Sequence, residues 1–316
     1  MLDGSVRLDK NRPKPTPSQG EAVIKPLLAG ICDTDLQIVK GYMAYKGVLG
    51  HEFVGVVESA PDKSLVGKRV VGEINCECGV CKVCRDGRKK HCPNRTVLGI
   101  MGRDGGFADY LTLPVEKLHV VPDSIPDNSA VFTEPLAAAF QVLRQVSIKR
   151  SDRVAVIGDG KLGLLVAQVA RLVEECDLLA IGHHPDRLAI LERKGINTSL
   201  EKKIEELEYE FDYVIDATGA SSGFRRALKL VKPGGAIILK TTIANRGEFD
   251  LNKVVIDEIT IIGSRCGPFE EALGALEIGL VDTESLITEV MSLNDGEAAI
   301  KKAAENDTIK ILLSMD

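Results

Sequence analysis

Four cysteines offer the most specific chemistry in this chain. The run Cys78-x2-Cys81-x2-Cys84-x7-Cys92 has the spacing of a tetrahedral Zn²⁺ site, because each short step lets one turn present two thiolates and the longer loop returns the last. With all four vertices filled by sulfur, no position remains for water or substrate, so a structural ion that fastens a loop is predicted. Arg85, Arg88, Lys89 and Lys90 stand where they offset its negative charge. Disulfides between the Cys-x2-Cys pairs are the competing reading; the even count of eight cysteines allows it. Dense cysteines in a chain this well supplied with core residues favour metal. Cys76 is either a bystander or, with the register slipped, a substitute for Cys78. A second donor set is scattered: Cys32 in Gly30-Ile31-Cys32-Asp33-Thr34-Asp35, His51 and Glu52 in Gly50-His51-Glu52, and Glu134 in Thr133-Glu134-Pro135. Singly, such a cysteine is a core residue and such a histidine a hydrogen-bonded one. Together, thiol, imidazole and carboxylate suit Zn²⁺ and leave a coordination position free.

A third feature is Gly158-Asp159-Gly160-Lys161-Leu162-Gly163 directly after the apolar run Arg153–Ile157. In strand–turn–helix context, Gly158 permits the tight turn, Gly160 lets backbone approach a pyrophosphate, and Gly163 lets helix and strand pack closely. The helix N-terminus adds free N–H groups and a positive dipole. A dinucleotide is predicted here; a βα turn without ligand is the plainer alternative. The next strand ends at Gly182, not at an acid that would grip a ribose 2′-hydroxyl, and Asp177 lies at its other end. Room at Gly182, with His183 and Arg187 as donors, points to NADP rather than NAD; His184 reads equally well as a solvated turn residue.

The elements that must position these groups follow from texture. Residues 1–130 read as short strands (Ala22–Leu28, Phe53–Glu58, Arg69–Gly72, Ala108–Leu113, Lys117–Val121) broken by Gly, Pro and Asp turns. From about residue 135, apolar strands alternate with helical runs, the signature of a parallel α/β sheet; the last elements are helices at Phe269–Ile278 and Gly296–Glu305 and a strand at Thr308–Leu313. Lys310, within that strand, reads as a surface residue. The 316 residues suggest two domains. A net charge of −6 gives no electrostatic case for nucleic acid or an anionic membrane. No apolar stretch reaches membrane-spanning length, and MLDGSVRLDK lacks a secretory h-region, so a cytoplasmic location is expected.

Taken in order, Cys-x-Thr-Asp at Cys32, Gly-His-Glu-x-x-Gly at Gly50, the four-cysteine lobe, Glu-Pro at Glu134 and the glycine turn at Gly158 resemble the zinc-dependent medium-chain dehydrogenases, the group of alcohol, sorbitol, glucose and threonine dehydrogenases. The resemblance spans nearly the whole chain. It implies a GroES-like β-barrel catalytic domain (1–132, with the zinc lobe), an inserted doubly wound Rossmann domain (133–265) and a C-terminal segment (266–316) completing the first. It implies one catalytic zinc on Cys32, His51 and Glu134, as in the polyol and glucose branch, with Glu52 a direct or alternating ligand, and one structural zinc. Reversible hydride transfer between an alcohol, polyol or sugar CH–OH and the cofactor is the implied reaction, in a homodimer or homotetramer. Thr34 is the candidate first proton acceptor. Asp35 is either the residue that orients His51 or a helix-capping carboxylate. Thr218 in Asp216-Ala217-Thr218-Gly219, Lys240 and Arg265, at later strand ends, are expected to approach the cofactor. The chain departs from the family at Ser59–Gly67, which is short; at Gln37, where a relay histidine stands in alcohol dehydrogenases; and at Asp33, where a basic residue is common.

Two other readings compete. A non-catalytic nucleotide sensor would use the zinc lobe to contact a partner or nucleic acid, with the basic run Arg85–Lys90 in its favour. A zinc-free quinone reductase of the same superfamily would have no use for Cys32, His51 and Glu134.

Overall fold

The computed structural model describes residues 6–173, 175–204, 206–242 and 251–315. The chain forms two compact units, Met1–Glu134 with Phe269–Asp316, and Pro135–Pro268. It passes through β1 (Glu21–Gly30), α1 (Asp33–Val39), β2 (Glu52–Ser59), β3 (Arg69–Gly72), α2 (Thr133–Gln145), β4 (Arg153–Ile157), α3 (Lys161–Ala170), β5 (Asp177–Gly182), α4 (Pro185–Glu192), β6 (Asn197–Leu200), β7 (Phe211–Asp216), α5 (Ser221–Leu230), β8 (Val231–Leu239), α6 (Leu251–Ile256), β9 (Thr260–Gly263), β10 (Ile287–Ser292) and β11 (Lys310–Ser314).

In the first unit β1 is the hub of a sheet ordered β10-β11-β1-β2-β3 and on to Leu118–Val120, with Leu111–Pro114 also pairing with β1. Its neighbours β2 and β11 run antiparallel to it. The end of β1 positions the chemistry. Gly30 stands in register with Glu52 on one side and Leu312 on the other. Lys310 shares a face of β11 with Leu312, because side chains alternate along a strand, so Glu52 and Lys310 reach each other past Gly30. A Cβ at Gly30 would lie 2.4 Å from Glu52 Oε2 and 2.8 Å from Lys310 Cε. Only glycine leaves that passage open.

The Lys310 ammonium donates to the Glu52 carboxylate with both side chains 1% exposed. This corrects the expectation of a surface Lys310: the residue lies in a buried strand, its Nζ 5.7 Å from the centroid of the buried Phe132 ring. The four-cysteine lobe carries a separate small sheet of Asn75–Cys76, Thr96–Leu98 and Gly102–Arg103.

The second unit is an all-parallel sheet in the order β6-β5-β4-β7-β8-β9. Counted within the unit, that is 3-2-1-4-5-6, the doubly wound order whose switch point lies at the carboxyl ends of its central strands. The buried run Val154–Ile157 suits a central parallel strand covered on both faces. The expected architecture, a GroES-like β domain plus a doubly wound Rossmann-type sheet, is the one observed; the larger sheet of the first unit is antiparallel except where β10 pairs with β11. β6, β10, α1 and α6 carry no clear sequence periodicity and emerge only in the structure.

Removing one partner of a buried ion pair leaves an uncompensated charge and costs about 3–5 kcal/mol. Lys310→Met is expected to lose stability in that range by urea denaturation, and Gly30→Ala about 1–3 kcal/mol from forced displacement.

Candidate active site

Cys32 ends the loop from β1 and begins α1; His51 and Glu52 begin β2. One donor atom from each of Cys32, His51 and Glu52 lies within 4.8 Å of the others, and His51 and Glu52 are buried. Asp35, fully buried, ties this set together. Its carboxylate accepts from Cys32 N at 2.9 Å and Gly50 N at 3.2 Å. Its Oδ1 also lies 3.3 Å from His51 Nδ1. Asp35 therefore meets the capping expectation at the start of α1 and also faces the histidine. His51 Nδ1 is close to Asp35 but too poorly aligned for a hydrogen bond. Burial favours the neutral ring, yet Asp35 and the Cys32 thiol outweigh it and raise the His51 pKa well above the usual imidazole value. A half-buried thiol converging with a buried imidazole and a buried carboxylate fits a divalent cation by donor chemistry. Thr34 is half-buried in the first turn of α1. Glu134, half-buried in the first turn of α2, stands outside the convergent group of three.

The four-cysteine lobe is assembled. Cys81 Sγ lies 3.4 Å from Cys84 Sγ and 3.8 Å from Cys92 Sγ, and Cys92 Sγ lies 3.5 Å from Cys78 Sγ. Tetrahedral Zn–S bonds of about 2.3 Å imply sulfurs about 3.8 Å apart, close to the spacing found. All eight cysteines are free thiols, so the disulfide reading has no support, and Cys76 lies buried outside the cluster. Backbone N–H groups of Val80 and Cys81 pull the Cys78 thiol down to about 6. Burial and neighbouring thiols push Cys84 up to about 12. Without a cation, then, the four do not ionise together near neutrality.

The glycine turn has the geometry its residues suggest. Gly158 has φ of 110°, and a Cβ at Gly163 would lie 2.0 Å from the Gly158 carbonyl oxygen. At Gly160 a Cβ would meet nothing within 4 Å, so that face of the turn is open. Lys161 and Leu162, both half-buried, begin α3.

The end of β5 differs from expectation. The room predicted at Gly182 is filled: a Cβ there would lie 2.4 Å from Asp159 Oδ2. His183 Nε2 faces Glu201 at 2.9 Å, and Arg187 is buried on α4. The three features read as a 2′-phosphate site are thus occupied by a carboxylate, paired with one, or buried. Thr218 donates through N and Oγ1 to Asp216 Oδ1, at 3.0 and 2.7 Å. Lys240 is buried and donates to the Ala138 carbonyl at 2.5 Å and to Ser264 Oγ at 3.1 Å, so its amine fastens α2 to the end of β9. Arg265 is exposed. Lys310 and Asp159 are the residues beside the donor set and the glycine turn that local pattern did not single out. A cation inside the apolar run Ile309–Leu313, and an acid between two glycines of the turn, were the available signals.

Comparison with known proteins agrees with this geometry. Residues 18–123 match the family model of the alcohol dehydrogenase GroES-like domain, and residues 162–278 that of zinc-binding dehydrogenases. A sorbitol dehydrogenase of Halalkalibacterium halodurans is 30% identical, covering 96% of this chain and 94% of its own. Among solved structures, an alcohol dehydrogenase from Escherichia coli CFT073 complexed with NADH has a TM-score of 0.88 at 28% identity, covering 96% of this chain and 94% of its own. A zinc-binding dehydrogenase from Sinorhizobium meliloti 1021 bound to NADP has a TM-score of 0.85 at 25% identity, covering 95% and 93%.

Metal entry at the four-cysteine lobe must displace the Cys84 proton, so zinc retention is expected to strengthen as pH rises and to weaken in acid as the thiols reprotonate. Chelator competition from about pH 6 to 8 measures this; retention independent of pH would contradict it. Donor set, glycine turn and matched models converge on one conclusion: the chain belongs to the zinc-dependent medium-chain dehydrogenases, NAD(P)-linked oxidoreductases.

Proposed function

We propose that this enzyme reversibly oxidises the CH–OH group of a small alcohol, polyol or sugar, with a nicotinamide dinucleotide as hydride acceptor. The observation that carries the reading is the convergence of Cys32, His51 and Glu52 within 4.8 Å, with His51 and Glu52 buried. These residues would hold the catalytic zinc, with Glu134 as a further carboxylate ligand, and Cys78, Cys81, Cys84 and Cys92 the structural one. The bound zinc supplies Lewis acidity and the dinucleotide supplies the hydride acceptor.

The chain's own residues do the rest. Asp35 fixes the Cys32 backbone and faces the His51 ring, which orients the two donors. Thr34 Oγ1 takes the substrate hydroxyl proton and passes it towards solvent. Lys310 holds Glu52 in place by charge. Gly158, Gly160 and Gly163, with the N–H groups of Lys161 and Leu162 at the start of α3, receive the pyrophosphate. Gly182, His183 and Thr218 flank the turn. The sorbitol dehydrogenase relative supports a polyhydroxylated substrate.

Self-association is part of the same reading. Among the described residues β9 pairs only with β8, and Ile261 on it is exposed, as are Leu251, Val255 and Ile256 on α6. A second copy of this chain laid along that edge would cover them. Light scattering is expected to give a dimer or tetramer, shifted towards monomer by Ile261→Lys; a monomeric wild type would contradict it.

For the sensor alternative, the basic run is already compensated in part, since Arg88 pairs with Asp86 and Lys89 with Glu77. The test is a panel of alcohols, polyols, sugars and hydroxy-amino acids assayed with both nicotinamide cofactors. Turnover on at least one is expected. Thr34→Val should lower kcat by about 10²–10⁴-fold with zinc content unchanged, whereas Cys32→Ser should lose activity and the catalytic zinc together. Full activity in Cys32→Ser would overturn the assignment.

A further inference from the structure

Asp159 lies in the glycine turn, yet its side chain works at the end of the neighbouring strand. It is buried, and its Oδ2 accepts from His183 N at 2.7 Å and His184 N at 2.6 Å. Its Oδ1 has one contact among the hydrogen bonds described, His184 Nδ1 at 3.2 Å. That leaves acceptor capacity on an oxygen at the carboxyl end of β5, since a carboxylate oxygen carries two lone pairs.

The end of the second strand of a doubly wound sheet is where an adenosine ribose is read. Here the strand contributes Gly182, whose missing Cβ is what allows Asp159 in. The carboxylate therefore stands at the carboxyl end of β5 even though the acid comes from a different part of the sequence.

The surrounding charge points the same way. Burial opposes ionisation of Asp159, but N–H donors from His184 and His183 outweigh it and hold its pKa below the usual carboxylate value. A second carboxylate, Glu201, faces His183 at 2.9 Å. Arg226, 4.0 Å from Glu201, donates to the carbonyls of Glu201 and Ile204. Arg187 is buried on α4. A ribose diol donates hydrogen bonds and suits an anionic acceptor. A 2′-phosphate brings like charge onto it.

We propose that Asp159 reads the adenosine ribose as a free diol and makes NAD, not NADP, the preferred cofactor. The inference rests on the dinucleotide reading above and names its cofactor.

Direct binding tests it without turnover. NADH and NADPH are titrated into the zinc-loaded full-length enzyme by nicotinamide fluorescence. Wild type is expected to bind NADH at least about tenfold more tightly. Asp159→Asn keeps the side chain's shape while removing its charge, and Asp159→Ser opens space. Each should shift the NADH:NADPH ratio towards NADPH by about tenfold or more. Equal or tighter NADPH binding by wild type, or a ratio unchanged in folded variants, overturns the inference and leaves the dehydrogenase reading standing. Should neither variant fold, the wild-type ratio decides. Failure to bind either nucleotide removes both readings.

Discussion

Charge taken out of water must be matched, and that constraint organises the first unit of this protein. Glu52 and Asp35 are carboxylates inside a sheet-and-helix core, beside a thiol and an imidazole. Lys310 answers one of them from the other side of β1. The raised pKa of His51 reflects the pull of Asp35 and Cys32 on any nearby cation, a proton included. A divalent ion would satisfy that pull better, because several donors would meet it at once. Gly30 is the steric counterpart of this electrostatics: without its bare backbone the ion pair could not close.

The four-cysteine lobe follows the same rule with different chemistry. One thiol is biased towards thiolate by backbone N–H groups and another is held protonated by burial and neighbouring sulfurs. The cluster is therefore set up for a cation to complete it. Four sulfurs leave no vertex open, whereas the convergent set of Cys32, His51 and Glu52 brings three donors together.

Much of this was legible in the sequence, for physical reasons. Cysteine spacing and the glycine turn are local, and their geometry is fixed within a dozen residues. The alternation of apolar strands and helical runs gave the parallel sheet, because strands buried on both faces read as continuous apolar runs. Long-range pairings were not legible. Lys310 and Glu52 are 258 positions apart, and nothing in Thr308–Leu313 says which strand lies alongside. Asp159 likewise reads as a turn residue until β5 is placed next to β4. Gly182 then changes meaning, from room for a phosphate to room for a neighbouring carboxylate. Elements of weak periodicity, such as β6 and β10, owe their form to the strands they pair with.

Cys32, His51 and Glu52 would hold an ion distinct from the one in the cysteine lobe. Anomalous diffraction at the zinc edge, on crystals of the gently purified full-length enzyme, tests it most directly. One peak is expected among Cys32, His51 and Glu52 and another among Cys78, Cys81, Cys84 and Cys92. A peak in the lobe alone, with the Cys32 site empty in an active enzyme, would contradict it.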